Sequence, residues 1–412
     1  MQYGLIGEHL THSFSKVIHE KIADYVYEIK EIEPQNVEKF MKSKDFLAIN
    51  VTIPYKETVI PYLDHIDESA KKIGAVNTVV NKNGILYGYN TDYSGMKALV
   101  NKIGLPIKDK KILIIGTGGT SKTATAVVSD MGAKQIVYVS NIKIDGAYSY
   151  EEIYANYTDA EVIFNTSPVG MYPKNDGIPI DLTKFPKLIG VLDVVYNPLQ
   201  TNLVLEARKL GKKSEGGLYM LVSQAIYAYE HFMDKTVDSS LCDTIFNEIL
   251  SQKDNIVLTG MPSSGKTTIG KILAEKTGKT FVDTDYEIVK KIGMDIPSYF
   301  EKYGEAEFRK VECEVIKEVS TKNSLIIATG GGAILNQDNV RRLKQNGKIY
   351  FLDRNLEKLI PTSNRPLSRD IDALKKRYEE RYPIYKSTCD IKIDGNGTPN
   401  EVADIIYGEY QK

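Results

Sequence analysis

The sequence has no surplus of charge of either sign, few cysteines and no long apolar run. Its 53 basic and 54 acidic residues leave a formal net charge of −1. That balance gives no electrostatic footprint for nucleic acid or an anionic membrane, so its basic residues are expected to bind small anions locally. The three cysteines, Cys242, Cys313 and Cys389, are far apart and form no C-x-x-C pair. They suggest neither a disulfide framework nor a zinc site, fit a reducing compartment, and read as small core or surface residues. No apolar stretch reaches bilayer-spanning length. The opening MQYGLIGEHLTHSFSK lacks a basic leader followed by an apolar stretch. Together these absences predict a cytoplasmic protein without low-complexity segments.

At 412 residues the chain exceeds what one hydrophobic core usually holds, so two or three domains are expected. Its apolar fraction of 42% and charged fraction of 26% are those of a soluble globular protein. Short apolar runs alternate with helical patterns. Candidate strands fall at residues 2–6, 46–51, 111–115, 135–139, 161–165 and 188–194, and a second series at 255–259, 279–283, 324–329, 348–352 and 390–393. This alternation predicts α/β architecture with largely parallel sheets. Helices at 218–233 and about 238–250 precede the polar Ser251-Gln252-Lys253-Asp254, which reads as the domain junction.

The strand at 111–115 runs into Gly116-Thr117-Gly118-Gly119-Thr120-Ser121 with a helical pattern behind it, the context of a dinucleotide-binding turn. Gly116 permits the tight turn and Gly118 lets the backbone approach a pyrophosphate. Ser121 stands where only a small residue packs between helix and strand. Free N–H groups at the helix start favour phosphate. After the next strand, Tyr138-Val139-Ser140-Asn141 offers no acid to a ribose 2′-hydroxyl, which disfavours NAD and leaves room for a 2′-phosphate near Lys143. Around this turn, polar clusters at residues 50–56, 90–92 and 165–171 are hard to place in a core. Taken singly, Lys56 reads as a solvated lysine and Asp92 as a helix N-cap. Taken together the clusters read as a hydroxyl-rich pocket facing the cofactor.

Over its first 250 or so residues the chain resembles shikimate dehydrogenase. The resemblance rests on Ser13-Phe14-Ser15, N-V-T-x-P-x-K at 50–56, A-V-N-T at 75–78, N-T-D-x-x-G at 90–95 and N-x-[ST]-P-x-G-M at 165–171. It continues in D-x-x-Y-x-P-x-x-T at 193–201 and G-x-x-M-L-x-x-Q at 217–224. It implies that Ser13, Ser15, Thr52, Asn77, Asp92, Tyr196 and Gln224 hold the ring hydroxyls and carboxylate, and that Lys56 and Asp92 form the catalytic pair. It implies NADP(H) on Gly116, Thr117, Gly118, Gly119, Thr120, Asn141, Lys143 and Gly217, with hydride transfer at C3 of the ring. An ammonium beside a carbonyl oxygen stabilises the charge that develops there and can donate the proton. The arginine that usually follows the family's asparagine is replaced by Ile142, which leaves NAD as an alternative cofactor.

A second strand, at 255–259, leads into Gly260-Met261-Pro262-Ser263-Ser264-Gly265-Lys266-Thr267-Thr268, a full G-x-x-x-x-G-K-[ST] P-loop. Its N–H groups would cradle the phosphates of ATP, Lys266 would reach their oxygens and the Thr267 hydroxyl would ligate Mg²⁺. Asp283-Thr284-Asp285 ends the next strand. Glu305 and Arg309 sit one turn apart, and Gly330-Gly331-Gly332 suits close approach of backbone to a ligand. From about residue 254 the chain resembles shikimate kinase, through this P-loop, D-T-D at 283–285, E-x-E-F-R-x-x-E at 305–312, G-G-G-A at 330–333, R-P-L at 365–367 and R-x-P-x-Y at 381–385. The resemblance implies that Asp285, Arg309, Gly331 and Arg381 bind shikimate and that Asp285 holds the attacking 3-hydroxyl. It also implies that Asp283 orients the Mg²⁺ shell and that Arg365 closes with the lid onto the transferring phosphate. The nucleotide contacts are then Ser263, Ser264, Gly265, Lys266, Thr267, Thr268 and Arg365. Ser263 replaces a usual glycine, and the lid is short.

The expected organisation is a substrate domain at 1–95, a Rossmann NADP domain at 96–217, helices at 218–250 returning to the substrate domain, and a P-loop kinase domain at 254–412. Consecutive chemistry on 3-dehydroshikimate and shikimate makes one coherent reading of the chain, with no nucleic-acid or membrane partner. The alternatives keep an active kinase behind a first half that only senses shikimate or prefers quinate, or make the second half another small-molecule P-loop kinase.

Overall fold

A computed structural model of the chain describes residues 1–10, 14–359 and 371–411. It divides into two compact units, Met1–Ile249 and Leu250–Lys412. Among the described residues no helix is long and apolar enough to cross a membrane.

The first unit holds two six-stranded sheets. One has the order Tyr27–Glu31, Tyr3–Gly7, Ala48–Val51, Thr78–Lys82, Ile85–Tyr89, His65–Ile66. It is mixed: the third to fifth of these strands pair antiparallel and its other pairs are parallel, within an architecture that is largely parallel as expected. The fourth and fifth strands are joined by a tight hairpin at Asn83-Gly84, where both residues adopt positive φ (56° and 87°), the geometry that Asn-Gly favours between paired strands. The other sheet runs Lys213–Glu215, Gly190–Asp193, Val162–Asn165, Lys111–Ile115, Gln135–Val139, Ala147–Tyr148 and is wholly parallel. Its central strand is apolar on both faces. Ile112 and Ile114 join one core cluster, and Leu113 and Ile115 the other, as a sheet covered on both sides demands.

Two helices, Thr91–Lys102 and Leu218–Met233, cross closely beside these sheets. Gly95 permits the crossing, since a Cβ there would lie 2.7 Å from the Met220 carbonyl oxygen and 3.0 Å from Gln224 Cβ. The contact brings Gln224 alongside the start of the first helix.

The second unit is a five-stranded parallel sheet in the order Thr280–Asp283, Leu325–Ala328, Asn255–Thr259, Gly347–Asp353, Ile391–Asp394. Ile256 and Leu258 face one core cluster and Val257 the other. The boundary between the units, after Ile249, lies beside the polar junction read at 251–254, and residues 251–253 form the last turn of the helix Ser240–Lys253. That turn is fixed inside the second unit. Lys279 Nζ donates to the carbonyl oxygens of Ser251 and Asp254, both at 2.7 Å, and Tyr410 Oη donates to Asp254 Oδ1 at 2.9 Å.

Candidate active sites

In the first unit, Lys56 Nζ donates to Asp92 Oδ2 at 2.6 Å, and both side chains are half-buried. Lys56 is therefore not the solvated lysine that it resembles in isolation. Nor is Asp92 the N-cap of its helix. Asn90 caps it, accepting the Tyr93 N–H on Oδ1 at 3.2 Å, and Asp92 sits in the first turn, where the helix dipole favours a carboxylate. The pair lies on a cavity of about 460 Å³ that Ser15, Thr52, Asn77, Tyr196 and Gln224 also line. Ser13 lies outside the described residues. A wider depression of about 990 Å³, lined among others by Glu8, Lys30, Glu31 and Lys39, contains no such catalytic pair.

The hydrogen bonding behind the cavity decides what its walls can offer. Asn77 Oδ1 accepts the Thr91 N–H at 2.7 Å and the Thr78 hydroxyl at 3.1 Å, so its amide NH₂ is the group left for a ligand. Asn50 is buried and holds this wall, accepting from Tyr27 Oη at 2.7 Å and donating to Thr78 Oγ1 at 3.0 Å. Gln224 Nε2 donates to the Leu221 carbonyl oxygen at 2.9 Å. Tyr196 packs edge-to-face against Phe14, with ring centroids 5.6 Å apart.

Sequence reasoning quoted Asp193 within a motif but gave it no role. It is fully buried. Oδ1 accepts from Asn165 Nδ2 at 2.9 Å and the Val195 N–H at 3.0 Å, and Oδ2 from Thr201 Oγ1 at 2.7 Å. It thus ties the segment carrying Tyr196 to the loop that follows Asn165. Burial pushes its carboxyl up from 3.8 to about 7 against the pull of these three donors. Because the folded form binds the proton more tightly than the unfolded chain, this group's contribution to stability falls as pH rises from about 4 to 7. Asp193→Asn is therefore expected to destabilise the first unit more at pH 5 than at pH 8, measured by urea midpoints. An equal loss at both values would contradict the assignment.

The dinucleotide turn has the expected local form. Gly116 adopts φ 102°, and a Cβ there would meet Thr166 Oγ1 at 3.1 Å. Gly118 and Gly119 open onto free space, which suits close approach of a phosphate. Gly118 caps the helix Gly119–Asp130, and Ser121 is buried on it. Thr117 lines a cleft of about 440 Å³ together with Tyr138; Thr120 belongs to the first turn of the helix. Asn141, Ile142 and Lys143 are exposed beyond the second strand. Gly217 has a packing reason of its own, since a Cβ would fall 2.1 Å from the Val194 carbonyl oxygen.

In the second unit the P-loop closes around its own lysine. Buried Lys266 Nζ donates to the carbonyl oxygens of Gly260 and Met261 at 2.8 and 2.9 Å. Gly265, φ 92°, caps the helix Lys266–Thr277, whose first turn also contains Thr267 and Thr268. Buried Ser264 lies 3.4 Å from Lys266 Nζ. Thr267 Oγ1 donates to Asp283 Oδ2 at 2.8 Å, while Asp283 Oδ1 caps the next helix through the Asp285 N–H at 3.0 Å. Ser263 stands where glycine is usual and adopts φ 64°, a left-handed conformation costly for an L side chain. Ser263→Gly is expected to stabilise the second unit by about 1 kcal/mol, read as a higher urea midpoint; an unchanged midpoint would show that the loop tolerates the serine without strain.

The acceptor candidates gather around the three glycines. A Cβ on Gly330 would lie 2.6 Å from Asp285 Oδ1, and one on Gly332 would lie 2.2 Å from Arg309 Nη1. Arg309 Nη1 donates to buried Glu312 Oε2 at 2.8 Å, and Arg381 Nη1 to the Gly331 carbonyl oxygen at 2.9 Å. Burial pushes the Glu312 carboxyl up, opposed by Arg309. Tyr385, quoted only as the end of a motif, lies fully buried with its hydroxyl 2.9 Å from the Gly260 carbonyl oxygen and 2.6 Å from that of Gly331. It joins the P-loop to the glycine loop. Arg365 lies outside the described residues.

Residues 5–79 match the family model of the shikimate dehydrogenase substrate binding domain, and residues 262–410 that of shikimate kinase. The shikimate dehydrogenase (NADP(+)) of Clostridium beijerinckii is 38% identical over 263 residues, covering 60% of this chain and 96% of that protein. Among solved structures, a chorismate mutase/shikimate 5-dehydrogenase fusion protein from Clostridium acetobutylicum is 35% identical with a TM-score of 0.57, over 60% of this chain and 96% of that one. Shikimate 5-dehydrogenase from Listeria monocytogenes, in complex with shikimate and NAD, is 28% identical with a TM-score of 0.54, over 61% and 96%. The chain belongs to the shikimate dehydrogenase family over its first unit and carries a shikimate kinase domain in its second.

Proposed function

We propose that the first unit reduces 3-dehydroshikimate to shikimate with NADPH and that the second phosphorylates the 3-hydroxyl of shikimate with ATP. The observation that carries the reading is the Lys56–Asp92 pair at 2.6 Å on the wall of a hydroxyl-binding cavity. A sensing domain has no use for a proton donor so placed.

The nicotinamide supplies the hydride. Lys56 would meet the carbonyl oxygen as charge grows on it and give up the proton, and Asp92 would hold the ammonium in register. Asn77, Thr52, Ser15, Tyr196 and Gln224 would fix the ring, with Ser13 completing the serine pair. The open backbone at Gly118 and Gly119 supports a bound pyrophosphate. Asn141 and Lys143 are the polar groups beyond the second strand for a 2′-phosphate.

In the second unit, Lys266 would leave its carbonyl partners for the phosphates of ATP. Thr267 and Asp283, already 2.8 Å apart, fit a Mg²⁺ that keeps several of its waters and neutralises phosphate charge. Asp285 would hold the attacking hydroxyl, and Arg309 and Arg381 the ring carboxylate, with Arg365 closing over the phosphate.

The reading is tested by giving the purified chain 3-dehydroshikimate with NADPH, then with NADH, and afterwards Mg-ATP. Expected are faster oxidation of NADPH than of NADH, then shikimate 3-phosphate. Absence of redox with both cofactors, alongside phosphorylation of added shikimate, would leave a sensing first half. Preferential oxidation of quinate would make it a quinate enzyme.

A further inference from the structure

We propose that Glu305 occupies, in the substrate-free kinase unit, the edge of Arg309 that the acceptor carboxylate takes, so that Glu305 is a displaceable stand-in that sets acceptor affinity. The proposal rests on the assignment of Arg309 to that carboxylate.

Arg309 is held by two glutamates that are not equivalent. Nη1 donates to Glu312 Oε2 at 2.8 Å, while Nη2 and Nε both donate to Glu305 Oε1, at 2.9 and 3.3 Å. The Glu312 side chain is only 2% exposed and cannot leave without stranding a charge in the interior. The Glu305 side chain is 51% exposed and regains water when released. It starts the helical segment that resumes after Gly304, whose φ of 80° breaks the helix Ile296–Ser320. Glu312 is thus the permanent anchor and Glu305 the exchangeable one.

The edge in question is the fork that a planar carboxylate engages with both oxygens. Glu305 meets it with a single oxygen, shared between two donors, one of them long. A substrate carboxylate would replace one anion by another on the same edge and complete the fork. The displaced glutamate keeps a cation at hand, because Arg377, one turn before Arg381 on the helix Ile371–Thr388, is in electrostatic reach of Glu305, Arg309 and Arg381. Shikimate binding is then an exchange, and part of the attraction of Arg309 for its ligand is spent on displacing Glu305.

Kinase kinetics of the intact chain, followed by ADP release at saturating ATP, separate this role from a structural one. Glu305→Gln is expected to lower KM for shikimate roughly two- to fivefold, the size of a half-exposed ion pair, with kcat and KM for ATP unchanged. Glu305→Asp, which keeps the charge, should leave KM nearer the wild-type value. An unchanged or raised KM in Glu305→Gln overturns the proposal, because a residue that merely braces Arg309 can only weaken binding when lost. Arg309→Lys tests the premise separately. It should raise KM for shikimate alone, and if it does not, the assignment of Arg309 fails first and the proposal with it.

Discussion

Replacing Lys56 by alanine is expected to slow reduction of 3-dehydroshikimate by about 10²–10⁴ while phosphorylation of added shikimate continues at the wild-type rate. The substitution removes the proposed proton donor and one half of a 2.6 Å ion pair. It leaves untouched the walls proposed to bind the ring, because Asn77 and Asn50 are held by Thr91, Thr78 and Tyr27. The loss should therefore fall on kcat more than on KM. Asp92 retains the favourable field of the helix start when its partner is gone, so the variant should stay folded. NADPH absorbance and ADP release on the same preparation give both readings. A fall in both activities from a folded protein would sink the reading of two independent sites.

The converse experiment is Lys266→Ala, expected to reduce phosphorylation by about 10²–10³, the cost of one lost donor to a developing anion, with the redox rate unchanged. The lysine has two duties. It binds the carbonyl oxygens of Gly260 and Met261 in the ligand-free loop and is expected to bind phosphate when ATP arrives. Alanine removes both, so a urea midpoint for the second unit should accompany the kinetics. Retention of phosphorylation at the wild-type rate would show that the N–H groups of the loop suffice without the ammonium.

How much of this was legible depended on how local each signal was. The P-loop, the dinucleotide turn and the central strands are contiguous runs, and strands 111–115, 135–139 and 255–259 have the bounds that their apolar stretches predict. The antiparallel hairpin was also announced, by Asn83-Gly84 between two apolar runs, but was hidden by a reading that sought parallel units. Residues 251–254 read as a junction because they are short and polar, and the unit boundary does lie beside them, but nothing local says that 251–253 are helical. What keeps them helical is Lys279, 28 residues further on, meeting the Ser251 carbonyl oxygen. Asp193 and Tyr385 gain their roles from partners that only the folded chain supplies. For Asp92 the local signal misled: a carboxylate at a helix start reads as a cap, yet Asn90 caps and frees it.

Tyr385 carries a consequence for how the kinase unit couples its ligands. A phenol owns one proton, and here two carbonyl oxygens, those of Gly260 and Gly331, lie within its reach. Each has a second donor, Lys266 for the first and Arg381 for the second. If Lys266 turned to phosphate, the Gly260 oxygen would be left to the phenol and the Gly331 oxygen to Arg381. Nucleotide binding would therefore change what Arg381 holds beside the proposed acceptor site. By linkage, a nucleotide that altered affinity at the acceptor site would have its own affinity altered by the same factor. On the proposed roles of Lys266 and Arg381, a single rotatable hydroxyl would couple the two sites through the carbonyl oxygens of Gly260 and Gly331.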